Sequence, residues 1–289
     1  MLDGFEYIKP TSLTDALRCL EEDGTLPLAG GTDVLVNLHE GKLKLKKLVD
    51  LKGVKELKGI EKLSDGVRIG ALTLVQEIVR SPLLRNYGAL QKGASRLGCL
   101  EIRWRATAGG NICNGSPSAD TVPGLLLYNA EVLLYSKEGE RRMSLEDFLV
   151  GPGKVNMAKG EILTAIILPD AQPLSCSRYY RISRVKGMDL SSVNVGLYAE
   201  HYGNNDLTNV RIALGAVLPK VSRMREAEAY INAELLTESR LDEAIKNMLA
   251  KLSPREGSLR AAPAYKKQMA AELIKEGLLE MYWGDRNEA

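Results

Sequence analysis

Two glycine doublets, Gly30-Gly31 and Gly109-Gly110, stand seventy-nine positions apart in this chain. The first lies in Leu28-Ala29-Gly30-Gly31-Thr32-Asp33-Val34 and the second in Thr107-Ala108-Gly109-Gly110-Asn111-Ile112-Cys113-Asn114-Gly115. Each follows apolar or extended sequence and is flanked by Thr, Asn or Asp. Glycine adopts positive φ without steric penalty and lets the backbone approach a ligand, so consecutive N–H groups can converge on an anion. Two such loops suit the two phosphates of one diphosphate, and a dinucleotide cofactor is the natural candidate.

Along the chain, residues 11–24 predict a helix capped by Thr11 or Ser12 and ended by Gly24, with Leu13, Leu17 and Leu20 on one face. Leu26-Pro27-Leu28-Ala29 predicts a strand, and after the doublet Val34, Leu35 and Leu38 have helical spacing. Thr32 or Asp33 is placed to cap that helix. Strand, glycine turn and helix N-terminus together favour a bound phosphate. Strands at 48–51 and 67–71 follow, then a helix with Leu74, Ile78 and Val79 inward and another around 82–98. From Ala108 to Asp120 the chain reads as one long polar loop, of a kind more often functional than filler. Buried strands are predicted at 131–135 and 161–168, and Pro169-Asp170-Ala171-Gln172-Pro173 marks a boundary. Beyond it lie a hairpin (193–198 and 210–214, turning at Gly203-Asn204-Asn205-Asp206) and three helices near 223–232, 238–252 and 261–280.

Several function classes are excluded. With 39 basic and 37 acidic residues, no charge excess points to nucleic acid. The longest apolar runs are too short to span a bilayer, and the acidic opening Met1-Leu2-Asp3-Gly4-Phe5-Glu6 lacks a signal pattern. A cytoplasmic protein with no membrane partner is expected. Cys19, Cys99, Cys113 and Cys176 include no C-x-x-C spacing, so no zinc ribbon or iron–sulfur cluster is expected in this chain. His39 and His201 are the only histidines and no G-x-S-x-G elbow exists, so histidine-based catalysis is not expected. No G-x-G-x-x-G follows a predicted strand. Gly110 to Gly115 has Walker spacing, but Ser116 stands where lysine is required.

Leu28-Ala29-Gly30-Gly31-Thr32-Asp33 and Thr107-Ala108-Gly109-Gly110-Asn111-Ile112 resemble the two signature loops of the FAD subunits of molybdenum hydroxylases, the family of xanthine, nicotinate and carbon monoxide dehydrogenases. Phe5-Glu6-Tyr7-Ile8-Lys9-Pro10, Ile69-Gly70-Ala71-Leu72-Thr73, Ile102-Arg103, Ser116-Pro117-Ser118-Ala119-Asp120, Gly151-Pro152-Gly153-Lys154 and Tyr180-Arg181-Ile182-Ser183-Arg184-Val185-Lys186 agree in the same order. The resemblance implies an α+β chain: a vanillyl-alcohol-oxidase-like (PCMH-type) FAD-binding fold of two α/β subdomains, 1–55 and 56–170. A C-terminal domain of a small antiparallel sheet and helix bundle would follow, 175–285.

It further implies that amides from Ala29 to Asp33, with Leu28 and Val34 flanking, and from Thr107 to Asn111 hold the FAD diphosphate. Thr32 and Thr107 hydroxyls would add bonds. Asp120 matches the family's acidic residue on the adenosine side. Ile162 and Leu163 match residues packing near flavin and adenine, and Arg181 stands where lysine approaches the flavin ring. Cys113 would lie in the loop close to the flavin, as a small packed side chain or, alternatively, as a reactive thiol. Trp104, after Ile102-Arg103, departs from the family's usual asparagine. No metal ligand is implied here.

The implied role is the FAD-binding subunit of a molybdenum hydroxylase closest in look to the xanthine dehydrogenase type. Substrate would be hydroxylated at molybdopterin in a large subunit. Electrons would cross two two-iron clusters in a small subunit and reach this chain's FAD, which would pass them to an acceptor, commonly NAD. A stand-alone flavin reductase of the same superfold and an assembly subunit that has lost FAD are the alternatives.

Overall fold

A computed structural model of the chain describes residues 4–202 and 206–283. It begins with β1 (Glu6–Ile8), α1 (Leu13–Leu20), β2 (Thr25–Leu28), α2 (Val34–His39) and β3 (Lys47–Asp50). These strands form a parallel sheet in the order β1-β3-β2. Pro27 is tolerated because β2 is an edge strand, where a missing N–H breaks no ladder. Ser12, not Thr11, caps α1, its Oγ accepting from Asp15 N at 3.1 Å. The helix ends at Leu20 rather than at Gly24, which instead turns the chain into β2 with φ +79°. Ala16, Leu17 and Leu20 are buried against Val49, Leu51, Val54 and Leu57.

The middle of the chain holds β4 (Ile60–Lys62), β5 (Gly66–Gly70), α3 (Val75–Arg80), α4 (Gly88–Arg96), α5 (Leu100–Arg103), α6 (Ala108–Cys113), α7 (Val122–Leu127), β6 (Glu131–Ser136), β7 (Gly139–Ser144) and α8 (Leu145–Phe148). A short ribbon, β8 (Leu149–Gly151) and β9 (Lys154–Val155), precedes β10 (Ile162–Pro169). The main sheet runs β4-β5-β10-β6-β7, all antiparallel. Every residue of the central strand from Ile162 to Leu168 is buried, which explains its unbroken apolar run.

Two expectations are corrected here. The helix predicted around 82–98 is a 3-10 turn, Pro82–Leu84, followed by the separate α4. The predicted polar loop from Ala108 begins instead as α6, because Thr107 caps it and Ala108, Gly109 and Ile112 are buried. Packing and a cap outweigh the poor helix propensity of two glycines.

The last third forms a meander, β11 (Ser175–Ile182), β12 (Val193–Tyr202), β13 (Asp206–Gly215) and β14 (Ser222–Arg223), in sequential antiparallel order. The turn residues Gly203, Asn204 and Asn205 lie outside the described residues. Helices α9 (Arg225–Asn232), α10 (Glu238–Lys251) and α11 (Pro263–Trp283) cover one face, where Val193, Val195 and Leu197 share a core with Ala270, Ile274 and Leu278. The other face meets α7: Gly196 lies against Pro123 and Leu127, and Tyr198 packs edge-on to Tyr128 at 5.4 Å. No helix among the described residues is long and apolar enough to cross a membrane.

Candidate cofactor site

The first glycine loop runs from the buried end of β2, at Leu28, into α2. Gly31 holds φ +83°, which an L side chain rarely adopts. Among the described residues, none of the five consecutive N–H groups of Gly30, Gly31, Thr32, Asp33 and Val34 has an acceptor in the chain. Asp33 occupies the N-cap position of α2, but its carboxylate does not cap. Its Oδ1 accepts from Asn114 Nδ2 at 3.1 Å instead. A row of uncommitted amides on partly exposed backbone is an anion cradle.

The second loop is used differently. Ala108 N donates to Thr73 O at 2.9 Å and Gly109 N to Ala71 O at 2.8 Å. Gly110 N donates to Thr107 Oγ1 at 3.1 Å and Asn111 N to Thr107 O at 3.0 Å. These four amides are committed to the fold, which corrects the expectation of two equivalent amide cradles. What α6 still offers is side-chain chemistry: the Asn111 Oδ1 accepts from Thr121 at 2.6 Å, leaving its NH2 group for a ligand.

The two doublets meet on one seam between the parallel sheet and the middle sheet. A Cβ on Gly30 would overlap the Arg105 carbonyl oxygen, and a Cβ on Gly110 would lie 3.5 Å from Ala29 Cβ and 2.8 Å from Thr107 Oγ1. One on Gly109 would fall 2.7 Å from Ala71 Cβ. Close approach to another stretch of backbone therefore accounts for Gly30 and Gly109, and the capping hydroxyl of Thr107 crowds Gly110, apart from any ligand.

Asp120 and Arg181, expected at the adenosine and flavin ends of FAD, touch each other. Arg181 Nη1 lies 3.1 Å from Asp120 Oδ2, with both side chains buried. The two groups expected at different ends of FAD thus form one ion pair. Asp120 Oδ1 also accepts from Tyr179 at 2.6 Å and from Ser191, and Arg181 donates to the carbonyls of Arg96 and Asp189 at 2.6 and 2.7 Å. Burial pushes the Asp120 carboxyl up, while Ser191, Tyr179 and Arg181 draw it down. Tyr179 is held well above the usual tyrosine range, first by burial and then by Asp120. The network ties the segment after α6 to β11 and β12.

Ile162 and Leu163 open β10 and are buried on opposite sides of it, Ile162 with the parallel-sheet core and Leu163 with the middle core. Cys113 ends α6 half-buried against the middle core, and burial pushes its thiol up to about 12. The sequence reading missed Tyr7, Asp50 and Lys52, which gather behind the first loop. Lys52 Nζ donates to Ala29 O at 3.2 Å. A buried Asp closing an apolar strand was the available signal.

Residues 3–171 match the family described as FAD binding domain in molybdopterin dehydrogenase, and residues 178–281 match CO dehydrogenase flavoprotein C-terminal domain. The chain belongs to the FAD-binding subunits of the molybdenum hydroxylases. It is an oxidoreductase subunit and a flavoprotein by family. Similar proteins include the xanthine dehydrogenase FAD-binding subunit of Escherichia coli O157:H7, 31% identical over 285 residues, covering 97% of each chain. The glyceraldehyde dehydrogenase medium chain of Sulfolobus acidocaldarius is 31% identical over 251 residues, 86% of this subunit and 87% of that one. Among solved structures, a chain of carbon monoxide dehydrogenase from Hydrogenophaga pseudoflava superposes with TM-score 0.92 at 25% identity, over 98% of this subunit and 99% of that chain. The mixed α/β architecture is thus that of its relatives.

Proposed function

We propose that this subunit holds FAD with its diphosphate on the amides of Gly30, Gly31, Thr32, Asp33 and Val34. Thr107, Asn111 and the rest of α6 form the facing wall. The observation that carries this reading is the row of five uncommitted amides, set on a seam that glycines keep narrow. In this reading Leu28 and Ala29 lead into the cradle, Ile162 and Leu163 back the cofactor's rings, and Cys113 is a packing group. The Asp120–Arg181 pair supplies a fixed, neutralised wall from the C-terminal side. The fold would be vanillyl-alcohol-oxidase-like, divided into 1–55, 56–170 and 175–285.

FAD supplies the redox chemistry, and the residues of this chain bind and orient it. We place the subunit between an iron–sulfur small subunit, whose two-iron clusters deliver electrons, and an acceptor such as NAD, with hydroxylation at molybdopterin in a large subunit. Chain-length relatives named as medium chains and FAD subunits support this over a stand-alone reductase. The test is an absorbance spectrum of the purified chain with the released chromophore weighed. Flavin bands and the mass of FAD are expected. A colourless chain that cannot be reconstituted with FAD would overturn the reading, and failure to co-purify with a molybdenum subunit would overturn the electron-transfer assignment.

A further inference from the structure

We infer that Lys52 is a positioning residue for the first glycine loop, aiming the Gly30 N–H at the anionic diphosphate; this rests on the FAD reading above. Lys52 lies in the 3-10 turn Leu51–Gly53 that follows β3. Asp50, 2% exposed, holds that turn from its start. Its Oδ1 accepts from Lys52 N at 3.0 Å and lies 2.7 Å from Lys52 Nζ, while Oδ2 accepts from the Tyr7 hydroxyl. One buried carboxylate therefore fixes both the backbone and the ammonium of Lys52. Burial works against the charge of Asp50, yet Lys52 and Tyr7 hold its carboxyl below the usual range, so the carboxylate is ionised.

With its position set, Lys52 Nζ donates to Ala29 O at 3.2 Å. The peptide joining Ala29 and Gly30 is planar, and no peptide bond among the described residues is cis. In a trans peptide the C=O and the next N–H point in opposite directions. Anchoring the Ala29 carbonyl from behind therefore turns the Gly30 N–H, first of the uncommitted row, outward. The ammonium also polarises that peptide, making its N–H a stronger donor. Because Asp50 neutralises Lys52, the effect is orientation ahead of binding, not added charge on the ligand. Ordering a donor before the ligand arrives removes part of the entropy cost of binding.

The test is the affinity of the full chain, stripped of flavin, for FAD. Lys52→Met is expected to weaken FAD by about tenfold, a charged hydrogen bond's worth, beyond the loss of thermal stability that follows from leaving the buried Asp50 carboxylate without its cation. Lys52→Arg, which can still reach the carbonyl as a cation, is expected to recover most of that affinity. Wild-type affinity in Lys52→Met, or equal loss in Lys52→Arg, overturns the inference. Should Lys52→Met fail to fold, Tyr7→Phe decides, since the Tyr7 ring is half exposed and only its hydroxyl holds Asp50. About a threefold loss of FAD affinity is then expected, and no loss overturns the proposal. A wild-type chain that takes up no FAD would sink the cofactor reading itself, whereas FAD uptake unaffected by these changes sinks only the role of Lys52.

Discussion

The two glycine loops look alike in sequence and do opposite things in the fold. In the first, the backbone N–H groups from Gly30 to Val34 are left without acceptors, and Gly31 takes a left-handed conformation to present them. In the second, the N–H groups from Ala108 to Asn111 are tied to Thr73, Ala71 and Thr107. There the glycines serve thinness. Gly109 lets α6 press on the loop after β5, while in the first loop Gly30 lets the chain press on the segment before α6. A glycine pair thus marks either a donor row or a close crossing, and only the destination of the amides tells which. It follows that changes in the second loop should act on stability first, and changes in the first loop on FAD first.

The largest effect is expected where both uses coincide. Gly30→Val drives side-chain atoms into the Arg105 carbonyl, and neither backbone can yield. A loss of about 4 kcal/mol, or no soluble chain, is expected in urea unfolding. A normally stable variant would break the picture of a closed seam. Gly109→Ala, facing Ala71, should cost about 2 kcal/mol in stability, with FAD uptake falling no further than the folded fraction does. Gly31→Ala should do the reverse. Its left-handed conformation costs about 1.5 kcal/mol on replacement, and flavin titration should show an FAD loss larger than the stability loss. If those two variants behave alike, the contrast between the loops is wrong.

Removing the cap in Thr107→Ala should lower stability by about 1 kcal/mol, and Thr107→Ser should restore it in thermal melts. The smallest effect is expected from Asn114→Ala, which cuts the exposed link from α6 to Asp33. About 0.5 kcal/mol is expected, and a change in FAD dissociation rate would sharpen the role of that link.

Both doublets, the apolar run of β10 and the alternation of β12 and β13 were legible in the sequence because each signal is local. The helix α6 was hidden, since glycine argues against helix and the forces that override it come from Ala71 and Thr73, more than thirty positions away. The spacing offered Thr32 or Asp33 as a cap of α2, but the Asp33 carboxylate does not cap, and its partner Asn114 comes from another part of the chain. Asp120 stood out as an acid in a polar run, while Arg181 was marked only by the family resemblance, and their mutual contact depends on how the C-terminal sheet docks. Lys52 carried no signal. An Asp-Leu-Lys stretch is ordinary until folding brings Ala29 beside it.

The position of β10 at the centre of the middle sheet has a consequence for biosynthesis. It inserts between β5 and β6, although both of those strands leave the ribosome earlier. Until residue 169 has emerged, β5 and β6 each lack their shared neighbour, and the Ala71 N–H lacks its acceptor at Thr164. Ala71 is also the surface on which Gly109 rests. The wall opposite the amide row is therefore completed only when more than half of the polypeptide has been made, so a nascent chain stalled before β10 should present the first loop with nothing facing it. Pairings of such long sequence separation form slowly, and cofactor loading would wait for β10.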